Sequence, residues 1–106
     1  MLHSLERRTS NRMKAVIFKY TLGADNCTFL LPIGSKSLSV GEQNGYIVMW
    51  VLQPIGVIDM REWIVSSVNT GSNFDFPVEH FLGTVSIDGF SGNEVVRHVF
   101  ARRATT

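Results

Sequence analysis

Residues 38–52 read LSVGEQNGYIVMWVL, two runs of strand character joined by Asn44-Gly45. Asn-Gly between hydrophobic runs marks a two-residue hairpin, because a type I′ turn needs positive φ at both positions and these two residues tolerate it best. With that loop Gln43 pairs with Tyr46, and each pair outward steps by one. Val40 is then expected opposite Met49, Leu38 opposite Val51, Gly41 opposite Val48 and Ser39 opposite Trp50. The second arm is apolar on both faces. It therefore reads as a central strand, covered on both sides by the fold or on one side by a partner. Ser39 and Gly41 are small and leave room for Trp50 to lie across them.

Outward from this hairpin the chain reads as further short strands. Residues 14–21 alternate, with Val16, Phe18 and Tyr20 on one face and Ala15, Ile17 and Lys19 on the other. Residues 27–31 form a second strand ended by the turn Pro32-Ile33-Gly34. The hairpin arms are 37–43 and 46–53, and three more strands follow at 60–68, 81–88 and 94–101. Turn signals every 8–12 residues or so predict an all-β fold, a small antiparallel sandwich or partly open barrel of six to seven strands. Residues 1–13 are polar and basic and read as a short N-terminal extension to a single β domain over 14–106. Met13-Lys14 looks like a natural start in its own right.

The chain of 106 residues carries 44% hydrophobic and 18% charged residues, with a net charge of +1. The charged share lies below the roughly 25% of ordinary soluble domains, so either the surface is unusually neutral or part of it is covered by a partner. The charge balance gives no electrostatic case for nucleic acid as the main partner. The single Cys27 excludes an intrachain disulfide and fits a reducing compartment. The longest apolar run, Ile47–Leu52, falls far short of a membrane-spanning helix, and no secretory signal follows the N-terminal arginines.

No catalytic, cofactor or metal site emerges. His3, His80 and His98 have neither helical spacing nor carboxylates at motif distance. His98 alternates with Val96 and Phe100 and reads as a packed or cross-strand residue, while His80 reads as a solvated strand start. Cys27 reads as a structural cysteine, and one cysteine cannot make a cysteine zinc site. Gly71, in NTGSN, lacks the strand, helix and Gly-Lys-Ser/Thr context of a phosphate loop and reads as a turn. The expectation is a protein that is not an enzyme. Two surfaces stand out as binding candidates. Phe74 and Phe76 flank Asp75 in a loop and, with Ile55, Val57 and Ile58, form a candidate protein interface. Arg7, Arg8, Arg12, Arg97, Arg102 and Arg103 would form one basic patch if the termini lie close.

The order of motifs adds a resemblance. YTL at 20–22, LPIGSKSLSVGEQNGYIVMWVL at 31–52, NTG at 69–71, FLGTVSIDG at 81–89 and VVRHVF at 95–100 are similar to an uncharacterised family of short proteins encoded by tailed phages and prophages. The likeness covers residues 16–100, and its most specific parts are the hairpin and the HVF end. Departures are Ser35 for a small residue, Met49 before the tryptophan, and Ser72 where the family often has histidine. The resemblance implies phage origin and a small β-fold, and carries no mechanism. The combined expectation is a non-enzymatic accessory or counter-defence protein, acting in the host cytoplasm as an oligomer or bound to a host protein. The alternative is a virion component such as a capsid decoration or tail accessory protein.

Replacing Asn44-Gly45 by Ala-Ala should destabilise the domain by at least about 1 kcal/mol, because alanine disfavours positive φ. Thermal unfolding measures it, and an unchanged Tm would refute the hairpin.

Overall fold

The computed structural model describes residues 14–75, 80–88 and 94–104. They form seven strands: β1 (Ala15–Leu22), β2 (Asn26–Pro32), β3 (Lys36–Gln43), β4 (Tyr46–Pro54), β5 (Met60–Asn69), β6 (Phe81–Asp88) and β7 (Glu94–Arg103). Each lies within two residues of its expected boundaries. All ladders are antiparallel. They make a three-stranded sheet in the order β1-β4-β3 and a four-stranded sheet in the order β2-β5-β7-β6. The two sheets face each other as a sandwich and do not close into a barrel.

The opening hairpin forms as the turn chemistry requires. Asn44 has φ 54° and Gly45 φ 84°, and the Gly45 amide donates to Glu42 Oε2 at 2.7 Å. Strand β4 is the centre of its sheet, paired with β1 on one side and β3 on the other. Its odd-numbered residues Ile47, Met49 and Val51 face the opposite sheet and are buried. On its outer face Val48 is only 2% exposed. The chain supplies that cover itself. Trp50 lies on Gly41, so close that a Cβ there would sit 3.1 Å from the indole. Lys19 on β1 spans β4 and donates from Nζ to Gln43 Oε1 on β3 at 2.6 Å.

One pairing differs from expectation. A bulge between Ser37 and Ser39 sets Ser37, not Leu38, opposite Val51. Leu38 becomes the extra residue and is exposed. A two-for-one bulge turns one side chain out of the pleat and leaves the inner face intact.

The second sheet presents Leu31, Trp63, Val65, Val85, Val99 and Ala101 to the same core. Tyr20 and Phe29 join the sheets edge to face, with ring centroids 5.1 Å apart. Buried Gln53 donates from Nε2 to the Tyr20 hydroxyl, so the polar groups in this layer satisfy each other. Strands β5 and β6 are parallel and separated by β7, so the segment between them must cross β7. Phe74, in that connection, packs on Phe100 at 4.8 Å, and Phe81 flanks the same ring at 5.3 Å. His98 stands on this outer face with Phe100, held between Thr70 Oγ1 (2.7 Å) and Thr84 Oγ1 (3.0 Å). Both its ring nitrogens are engaged, which accounts for it as a cross-strand residue. Cys27 is half-buried against the core, with its thiol 3.5 Å from the Ala24 carbonyl.

The sandwich is pinched along one side, where β3 and β6 abut. A Cβ on Gly83 would lie 2.9 Å from Val40 Cγ2. Gly83→Ala should therefore cost about 1–3 kcal/mol through overpacking. Combining it with Val40→Ala should cost less than the sum of the two single changes. Chemical denaturation of the four proteins checks both statements.

Candidate functional site

The two ends of the sandwich differ in construction. At the hairpin end the Asn44-Gly45 turn meets the β1–β2 turn and the start of β7 around a cleft of about 250 Å³. Arg97 forms its floor. Its Nη2 donates to Asp25 Oδ1 (2.5 Å), the Ser67 carbonyl (2.8 Å) and Ser67 Oγ (2.7 Å), and its Nη1 to Asn69 Oδ1 (2.9 Å). The Arg97 side chain is only 16% exposed, against 77% for Asp25. This guanidinium is spent on fixing the β1–β2 turn to β5, a junction that the Ser67 amide reinforces by donating to the Asp25 carbonyl at 2.8 Å.

At the opposite end the chain crosses between the sheets twice, at 33–35 and at 55–59. Gly34 and Gly56 adopt positive φ in these turns. The Ile33 amide donates to the Asp59 carbonyl and the Ile55 amide to the Lys14 carbonyl, both at 2.9 Å. These bonds tie the two crossovers to each other and to the start of β1. They hold out a group of apolar side chains: Ile58 is 88% exposed, Ile55 60%, and Ile33, Val57 and Met60 are also exposed. Leu30, 68% exposed, continues the patch onto the outer face of the four-stranded sheet. An apolar cluster fixed in place on a small domain is the usual mark of a contact surface.

The candidates read from sequence are thus partly joined and partly separated. Ile55, Val57 and Ile58 lie together and exposed. Phe74 stands apart from them, beside Phe100 on the outer face, where it covers the sheet. Phe76 lies outside the described residues, as do Arg7, Arg8 and Arg12. Arg102 and Arg103 are at the crossover end, but Arg97 is at the hairpin end and bound to Asp25, so it is not part of a patch with them. The start of β1 and the end of β7 do share one end, since the Ala104 amide donates to the Glu62 carbonyl at 2.8 Å beside the crossovers.

Sequence reasoning missed Leu30, Ile33 and Met60. The signal for Ile33 was present: an isoleucine inside a Pro-x-Gly turn has no pleat to bury it. Leu30 and Met60 sit in strands on the face turned away from the core, and which face of these strands is covered is something that pattern alone does not disclose. His80, read as a solvated strand start, stands just before β6 and is half-buried, with its Nδ1 shut off from solvent and without a hydrogen-bond partner among the described residues.

Among the described residues no three His, Cys, Asp or Glu side chains converge to hold a metal ion. Nor is any helix among them long and apolar enough to cross a membrane. The site defines a class: an antiparallel β-sandwich whose distinguishing feature is one exposed apolar end. The chain belongs to the family described as a domain of unknown function, DUF7352, which matches residues 13–106. No protein of curated function and no solved structure matches it.

Asp25 and Arg97 differ in exposure and so in expected worth. Asp25→Ala should cost less than about 1 kcal/mol, as a surface pair does. Arg97→Ala should cost about 1.5–3 kcal/mol, because it also strands the Ser67 carbonyl and hydroxyl and the Asn69 amide. Equal losses in urea titrations would show that the arginine's bonds to β5 do not hold the turn.

Proposed function

We propose that this domain is a non-enzymatic binding protein of phage origin, an accessory or counter-defence factor that engages a host protein in the host cytoplasm through its crossover end. The observation that carries this reading is the group Ile33, Ile55 and Ile58, exposed on two connections bonded to each other. Holding apolar side chains out on a pre-ordered support lowers the ordering cost of association, which raises affinity for a given contact area. The phage origin is supported by the motif resemblance at the hairpin and the HVF end. A partner at this end also fits the low charged share of the chain.

The test is capture from infected-host lysate by the tagged protein and by an Ile55→Ser/Ile58→Ser variant. Both positions are exposed, so the variant should keep its Tm within the range of ordinary surface changes, about 0.5 kcal/mol in stability. A host protein held by the parent and lost by the variant supports the reading. The same captured set with both proteins overturns the assignment to this end. Many copies of the protein in purified virions, with no host partner, would support the alternative role as a virion component.

A further inference from the structure

A second cleft, of about 390 Å³, opens at the crossover end between β3, β6 and the end of β7. Ser37, Trp63, His80, Leu82, Arg102 and Arg103 line it. Its volume lies within the range of small-molecule sites, which run from roughly 300 to 1,000 Å³. Two of these six residues carry a guanidinium and a third an imidazole, and among the described residues no carboxylate lines the cleft. Arg103 faces Trp63 directly across the β5–β7 ladder and shares its side of the sheet. The guanidinium of Arg103 has no ion pair among the described residues, in contrast with Arg97 at the far end, which a carboxylate neutralises.

Two independent features mark this cleft as built for a ligand. The first is the pair of ladder irregularities, between Ser37 and Ser39 on β3 and between Phe81 and Gly83 on β6. Both border this cleft. The β3 bulge replaces an apolar Leu38 with the hydroxyl of Ser37 on the inner face, and the β6 bulge leaves Leu82 packed against the core beside it. Bulges next to sites serve to re-aim side chains in this manner. The second is the His80 ring. With Nδ1 unpartnered, no bond fixes the ring orientation through that atom.

We infer that this cleft binds a small organic phosphate monoester. Such a group carries about −1.5 to −2 charges near neutral pH and three acceptor oxygens. It matches the Arg103 guanidinium and the His80 imidazole together with the Ser37 hydroxyl. Arg103 offers the planar fork that grips phosphate oxygens in pairs. Leu82 and Trp63, which line the cleft from the core side, supply the apolar wall for the organic part. The inference rests on charge and cavity shape and is independent of the apolar crossover residues.

The test titrates the full chain with AMP, inorganic phosphate and adenosine, followed by amide and indole NMR signals. AMP should shift Leu82, Ala101, Arg103 and the Trp63 indole N–H at submillimolar concentration. Inorganic phosphate should move the same signals about tenfold more weakly, and adenosine should not move them. Arg103→Ala should weaken AMP binding about tenfold, with Arg103→Lys in between and the Tm of both unchanged. No shift of these signals by AMP, equal binding of adenosine, or an unaltered affinity in Arg103→Ala would each overturn the site. Phosphate binding as tightly as AMP would overturn the organic part of the ligand.

Discussion

A strand that is apolar on both faces can be stable only at the centre of a sheet with cover on each side, and β4 imposes that demand on this domain. On its inner face Met49 and Val51 are fully buried, and they can be so only if a second sheet lies across them. On its outer face the cover is thin and specific. Trp50 lies down because Gly41 has no side chain to obstruct it, and Lys19 reaches over the strand to Gln43. The alkyl stem of a lysine is well suited to this, since it covers apolar surface while its ammonium keeps a polar partner. Burial of β4 therefore needs β1 and β3 as its neighbours and the β2-β5-β7-β6 sheet as its lid.

The contrast between the two ends of the sandwich follows from how the chain satisfies that demand. It passes from sheet to sheet three times, once at the hairpin end and twice at the other. The single crossing at the hairpin end is locked by Arg97, whose donors are used internally. The double crossing leaves two turns whose side chains have no sheet beneath them, and there the apolar residues and the arginines of β7 collect. One end is thus consumed by structure, and the other leaves apolar side chains exposed.

The strands, the hairpin and its turn type were legible from residues 38–52 because turn chemistry and alternation are local. The Leu38 bulge was not legible. Leu38 and Ser37 both suit a strand, and the register shift that sets Ser37 opposite Val51 leaves no mark in the alternation of residues. The partition of strands between sheets was equally hidden, since β2 and β5 read alike whichever sheet they join. At the candidate site Ile55, Val57 and Ile58 could be named because they fall in a loop with Pro54 and Gly56. The grouping of Arg97 with Arg102 and Arg103 failed for a simple reason. In an extended strand, residues five or six positions apart lie at opposite ends of a small sheet. Phe74 is exposed, as its polar loop suggests, while its packing on Phe100 depends on the strand order that forces the loop across β7.

That strand order also bears on how the chain is made. The ladders of β3 with β4 and of β6 with β7 are local, one in each sheet, and can form as soon as each hairpin is complete. Strands β1 and β2 are synthesised first, yet among the described residues β1 pairs with β4 alone and β2 with β5 alone. During vectorial synthesis both wait, with Ile17, Phe18 and Leu30 in strands that have no pairing available. Non-local pairing of this kind pays loop-closure entropy before any contact repays it, and it slows folding relative to local topologies of the same size. The interval between making β1 and making β4 is thus the period in which the nascent chain is most open to wrong strand partners.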